Sequence, residues 1–549
     1  MREAEGVREL AAVLAGLKGR SGLSYQELGQ RVFTSRSTLH RYCTGKAVPG
    51  DYGLVVRIAT ECGADAAELN ELLRCWKAAT GQGSDQDSDP ATGQRQDAGP
   101  SARAAPPPAD PPAKRRRHPL GLRLVLAVVV ALVVLATAVA SAPRETGAAA
   151  APPPPEVTGW AQTPSPVDPR LFGVTMNSFS GAMPSFRVGA LRLWDSETRW
   201  AQVEPLRGKF DWSTLDRLLD AAERQGLPTL FVFGGTPAWA APDARKAAYS
   251  EGARAAPPDD LDDWDAFVRA LVRHAGDRID AYELWVMANH PHHYNGSVKT
   301  LVEMTRRASR IIRERDRDAV VVCPSMTELW KEASHEYLLG FAALGGYQHC
   351  DAAGIKLYQQ RVTDPPETML EAVRKVDRTF QRAGYHLPLW NTGTTQTLQL
   401  NDPLDEDMAA DYAVRFYLTG LYARKVQRMY FYAWGHGSIP LVLQAEGEPP
   451  TKAGLYVGRL QQWLAHASVR SCGHGLEIAL PENVWQCEFR IPDAYGVPRT
   501  ARIRWTYTGT ADVPVGAGAR RVQHLDGTTR TVDARDTVRL TGRPVLIRY

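Results

Sequence analysis

The stretch YELWVMANHPHHYNG, residues 282–296, places a tryptophan, two asparagines and three histidines at and just beyond what reads as the end of a buried strand, with no Asp or Glu after Glu283. A second strand-like end, LPLWNTGTTQTLQL, is equally bare, and no carboxylate lies between Tyr385 and Leu400. Side chains gathered at such positions could hold a metal, move a proton or bind a polar ligand. His290, His292 and His293 lack the adjacent carboxylate that would strengthen a metal set, so the expectation is a hydrogen-bonded loop, with no metal and no cofactor. Asp195 and Glu197 are the nearest carboxylates to test for proton transfer, and Glu283, lower on its strand, reads as structural. The remaining candidates are Asn177, Arg192, Trp194, Trp239, Trp285, Asn289, Tyr358 and Trp434, at or near predicted strand ends. Flat rings beside a few fixed hydrogen-bonding groups suit the faces of a pyranose, while each ring has packing of the barrel top as its alternative.

The elements that must position these residues run from 170 onward, where eight apolar runs (LFGVTMN, FRVGALRLW, PTLFVFG, DAYELWVM, AVVVCPS, CDAAGIKLY, LPLWNT and RMYFYAW) alternate with amphipathic helices. That alternation predicts a (β/α)8 TIM barrel over 170–465, whose ligand site lies at the C-terminal ends of its strands. Short strands and Gly turns over 466–549 predict a β-sandwich.

Residues 1–80 read as an all-α domain of short helices separated by Gly- and Pro-containing turns. Within it, LSYQELGQRVFTSRSTLHRYCTGKAVP has Ser24 as a helix N-cap and a three-residue turn between two helices, as a helix-turn-helix requires. No acidic residue falls between Glu27 and Asp51, whereas Arg31, Arg36, Arg41 and Lys46 are basic, which implies an anionic partner. A solvated basic face and a protein-contact module are the alternatives.

The 549-residue chain is 44% hydrophobic and 23% charged with a net charge of +4, too weakly basic overall for a nucleic-acid-coating protein. The apolar run at 124–142 carries no charge; at about 1.5 Å per residue it matches the roughly 30 Å of a bilayer core. A single transmembrane helix over 120–142 is therefore expected, between a basic-ended linker at 81–119 and a Pro/Ala-rich linker at 143–169. Lys114, Arg115, Arg116, Arg117 and Arg123 precede the run, so the positive-inside rule places the N-terminus in the cytoplasm and the barrel outside the cell membrane. The AVASA ending leaves cleavage and shedding of the outer part open. Beyond the run, an oxidising setting would make Cys472 with Cys487 a hairpin disulfide and Cys323 with Cys350 a second candidate.

Two resemblances sharpen these readings. Residues 7–79, through SYQEL, SRSTLHR and the following Gly and Pro, resemble the XRE-type, lambda-repressor-like DNA-binding domain common in filamentous actinobacteria. The likeness implies that Arg36, Ser37 and Thr38 face base edges and that Arg41 and Lys46 lie near phosphates. The same fold serves protein contact in membrane-tethered cytoskeletal adaptors. From 171 onward, LRLWDSETRWAQVEPLRGKFDWSTLDRLLDAAERQGL resembles the second β/α unit of clan A glycoside hydrolases, most like the β-xylosidase and α-L-iduronidase-like family, with Arg192 on the second barrel strand.

Enzymes of that clan use an acid/base after Asn on the fourth barrel strand and a nucleophile on the seventh. By the resemblance these positions fall on Met287 and Gly393. Loss of the nucleophile removes the covalent intermediate, and loss of the acid removes an effect of typically about 10²–10⁴-fold. Lys356 stands where relatives often have His, which opens the prospect of an anionic sugar beside that of a plain solvent-facing lysine. The combined expectation is a membrane-anchored transcriptional regulator, with a homodimer as one arrangement, whose degenerate barrel binds a glycan or cell-wall polysaccharide. An active or atypical hydrolase and a cell-wall morphogenesis adaptor are the rivals.

Overall fold

The computed structural model describes residues 2–32, 36–49, 52–64, 66–80, 151–249, 251–393, 404–435 and 442–549. The N-terminal domain contains five helices among these residues: α1 (Arg2–Ser21), α2 (Tyr25–Arg31), α3 (Arg36–Cys43), α4 (Tyr52–Glu61) and α5 (Ala66–Ala79). Ser24 starts α2 through a reciprocal capping box: its Oγ accepts the Glu27 N–H at 3.1 Å, and Glu27 Oε2 accepts the Ser24 N–H at 2.8 Å. Leu10, Leu14, Leu28, Leu39, Ile58, Leu72 and Trp76 form one apolar core, and the Trp76 indole donates to Pro49 O at 2.7 Å.

Eight parallel strands close a barrel in sequence order: β2 (Phe172–Met176), β3 (Ala190–Leu193), β4 (Thr229–Val232), β5 (Ala281–Glu283), β6 (Val320–Met326), β7 (Ala352–Ile355), β8 (Leu389–Asn391) and β9 (Val426–Trp434). Helices pack outside, among them Ser213–Arg224, Leu261–Ala275, Val298–Arg315 and Met369–Arg382. Strand alternation divides the side chains into two sets. Ala190, Trp194, Leu230, Val232, Ala281, Val322, Ala352, Trp390 and Tyr430 fill the interior. Leu191, Leu193, Phe231, Tyr282, Val321 and Phe431 meet the helices.

The appended β-sandwich has a seven-stranded sheet and a two-stranded sheet. Its edge strand, β1 (Trp160–Pro166), precedes the barrel in sequence and pairs with β10 (Ser468–His474), so part of the stretch expected to be linker is built into the fold. Arg415 and Glu367 of the barrel form a buried ion pair that also accepts the Trp505 indole N–H at 2.7 Å, which fixes the sandwich against the barrel. Disulfides join Cys323 to Cys350 and Cys472 to Cys487, whereas Cys43, Cys62 and Cys75 are free and buried.

The expected transmembrane helix and the membrane localisation built on it require correction. Among the described residues no helix is long and apolar enough to cross a membrane. The longest of these, Arg2–Ser21, Val298–Arg315 and Glu406–Ala423, are interrupted by charges such as Glu9, Arg306 and Arg415. Residues 81–150, including 120–142, lie outside the described residues. The assignment of head and barrel to opposite sides of a membrane is withdrawn with the anchor.

Candidate functional site

At the C-terminal end of the barrel, alternation brings Arg192 of β3, Glu283 of β5, Lys356 just after β7 and Thr392 just after β8 into one interior layer. Arg192 and Glu283 are 1% and 0% exposed; Arg192 Nε donates to Glu283 Oε2 at 2.9 Å. Thr392 Oγ1 donates to Glu283 Oε1 at 3.1 Å, and Lys356 Nζ lies 3.6 Å from the same oxygen while donating to Thr392 O at 2.6 Å. Burial would push the Glu283 carboxyl up, but Arg192 and Lys356 hold it below the usual carboxylate value. Burial and then the Arg192 charge push the Lys356 amine down to about 7, against the pull of Glu283. Lys356 is therefore a buried, paired lysine, which corrects the solvent-facing reading.

The two positions that the hydrolase likeness marks as catalytic lie around this layer. Gly393 is buried, and a Cβ placed on it would stand 3.3 Å from Lys356 Nζ. Asn391 positions the turn, accepting the Leu357 N–H at 3.0 Å. Met287 is half-buried in a left-handed conformation (φ 43°), and its N–H donates to Ser325 Oγ at 3.0 Å.

A second charged layer follows from Asp195, after β3. Its Oδ2 accepts the Tyr432 hydroxyl at 2.6 Å and its Oδ1 accepts Arg199 Nη1 at 2.9 Å. Arg199 reaches on to Glu251 with two bonds, at 2.6 and 3.0 Å, and lies over the rings of Trp194 and Tyr249. Arg192, Arg199 and Lys356 thus face Glu283, Asp195 and Glu251, and the charges balance. That balance removes the electrostatic reason to expect an anionic sugar. Tyr432, Tyr249, Arg199 and Glu251 escaped the sequence reading, although the alternation of RMYFYAW already turns Tyr430 and Tyr432 to the same face.

The expected sugar-contacting residues divide. Asn177, half-buried, donates to the Tyr432 hydroxyl at 3.4 Å, whereas Arg192 and Trp194 are buried, with the guanidinium 6.0 Å from the Trp194 ring centroid. Trp239 is half-buried with its indole N–H on Glu204 O at 2.9 Å and the Arg207 guanidinium over its ring. The others need correction as ligand contacts. Trp285 is fully buried in the outer core against Trp264 and Tyr294, because β5 ends at Glu283 and alternation stops before it. Trp434 is 1% exposed and bonded to Gln444, and Tyr358 is buried against Trp330 and Thr327. The Asn289 amide is engaged by Thr327 and Ser334, joining two loops.

Glu197 is exposed. His290, His292 and His293 pack on one another, burial holds all three below the usual imidazole value, and among the described residues no His/Cys/Asp/Glu group could hold a metal. In the head, Arg36, Arg41 and Lys46 are exposed and Thr38 is half-buried; the Ser37 side chain lies outside the described residues.

With this geometry established, comparison with known proteins gives a consistent picture. Residues 9–72 match the family described as helix-turn-helix domain. No curated protein matches the chain. Among solved structures, a family 39 glycoside hydrolase from Bacteroides cellulosilyticus is similar at 16% identity and TM-score 0.52, covering 71% of this chain and 84% of its own. A family 39 β-xylosidase from Caulobacter crescentus (14%, TM-score 0.51, 71% and 97%) and a family 39 enzyme from Xanthomonas axonopodis pv. citri (14%, 0.50, 71% and 95%) are similar as well. These likenesses establish a glycoside hydrolase-like fold for the barrel and sandwich.

Proposed function

We propose that the protein is a transcriptional regulator whose helix-turn-helix head binds DNA and whose barrel binds a glycan without hydrolysing it. What supports the second half is the resemblance to clan A hydrolases, by which the positions of their two carboxylates fall on Met287 and Gly393. Lys356 Nζ stands beside the empty Cβ position of Gly393. The carboxylates that remain, Glu283 and Asp195, are engaged by Arg192, Lys356, Arg199 and Tyr432, so neither is a free acid aligned for leaving-group protonation. Exposed Arg36, Arg41 and Lys46 support DNA as the partner of the head.

Ligand occupancy would act on DNA binding through the placement or dimerisation of the heads. The test uses the full chain: a panel of plant and cell-wall polysaccharides is screened for binding and for reducing-sugar release, and DNA affinity is then measured with and without the ligand found. Saturable binding with no sugar release and a shift in DNA affinity is the expected result. Sugar release would make the barrel an enzyme. A head that captures protein but shows no salt-dependent DNA binding would make it an adaptor.

A further inference from the structure

We propose that Lys356 is a nucleophilic amine that forms an imine with a small aldehyde, such as the open-chain form of a reducing sugar, admitted to the barrel mouth. The inference rests on the reading of that mouth as a ligand site and adds a covalent chemistry to it. Three placements carry it. The amine projects from the C-terminal end of β7, where its side chain retains 7% exposure, and is held in place by the 2.6 Å bond to Thr392 O. Gly393 contributes no side chain on the flank of the amine, and any other residue there would put a Cβ 3.3 Å from Nζ. The buried Arg192 guanidinium, whose Nη2 has no hydrogen-bond partner among the described residues, sits across Glu283 from the amine and disfavours a second cation beside it. The depressed amine pKa is what this arrangement produces.

The step balances without an added oxidant or reductant. The neutral amine attacks the carbonyl carbon, forming a C–N bond as the C=O π electrons move to oxygen. A proton passes from nitrogen to solvent water and one is delivered from water to that oxygen. The second nitrogen proton also goes to oxygen, the C–O bond breaks, and water leaves as the imine forms.

The full-length protein is incubated with propionaldehyde and sodium cyanoborohydride, which reduces the imine to a stable secondary amine, and labelled peptides are mapped by mass spectrometry. One adduct per chain is expected on Lys356, at least tenfold faster than on any other lysine. Its rate should rise with pH through about 7, as set by the surrounding Arg192, Glu283, Asp195 and His293. Lys356→Arg should abolish it. Gly393→Val crowds and covers the amine, and should slow labelling at least tenfold while the thermal melt stays within a few degrees of the parent. Labelling spread evenly over surface lysines, or labelling of Lys356 that rises only in the ordinary lysine range, would overturn the proposal. Propionaldehyde is not a glycan, so reactive Lys356 in a protein that binds no polysaccharide would sink the glycan reading alone, and the converse result would sink the imine alone.

Discussion

Lys356 shows how a single buried charge ties the barrel mouth to pH. Its folded pKa of about 7 lies below the ordinary 10.5, so between those values the unfolded chain binds more protons than the folded one and stability rises with pH, by up to about 1.4 kcal/mol per unit. Below about 7 both states hold the proton and the slope disappears. Urea denaturation at pH 6.5, 8 and 9.5 should show this rise in the parent protein and not in Lys356→Met; equal slopes in the two would refute it. Gly393→Glu tests the same locus from the other side. The new carboxylate would form an ion pair with Lys356 rather than stand free as a nucleophile, so the Met287→Glu/Gly393→Glu double variant should release no reducing sugar, and labelling of Lys356 at pH 7.5 should fall at least fivefold.

Two elements position functional groups without supplying the chemistry. The stretches 237–249 and 251–256 after β4 are tied to the barrel end by Glu251 on Arg199 and by the Tyr249 hydroxyl on His293 Nδ1. Arg199 is 9% exposed and its partners Glu251 and Asp195 13% and 27%, so Arg199→Ala leaves two half-buried carboxylates without their guanidinium and should cost about 1–3 kcal/mol. Limited trypsin digestion should then cut at Arg245 or Lys246 sooner than in the parent; unchanged cleavage would show that the clamp does not hold the segment. In the head, α3 follows the capped α2, and its exposed basic side chains give a separate forecast. Arg41→Ala and Lys46→Ala should each weaken DNA binding for all sequences and lower the salt slope by about 1, whereas Arg36→Ala should relax base preference at one position. A slope that does not respond would remove these residues from the phosphate contacts.

At the scale of the molecule, cross-links and charge pairs divide the chain into differently built parts. The barrel and sandwich carry both disulfides and share the Arg415–Glu367–Trp505 contact, while the head relies on an apolar core containing free thiols. The Cys472–Cys487 bridge closes a separation of 15 residues, which corresponds to about 3 kcal/mol. Cys472→Ala/Cys487→Ala should lower the denaturation midpoint of the barrel and sandwich and leave DNA binding by the head unchanged; a parallel loss of DNA binding would mean that the parts unfold together.

Hydrophobic period and turn residues are local properties, so the five-helix head, the Ser24 cap, the eight barrel strands and the sandwich were legible in the linear chain. The absence of acids at 284–296 and 385–400 was equally plain. Closure of the barrel decided what faces what. It sent Trp285 outward because β5 stops at Glu283, it buried Trp434 and Tyr358, and it assembled Arg192, Glu283, Lys356 and Thr392 from four separate strand ends. Hydropathy over 124–142 suggested an anchor that no described helix provides. A side chain's neighbours depend on strand register and on where each strand ends, and contacts between residues a hundred positions apart leave no periodic trace in the sequence that encodes them.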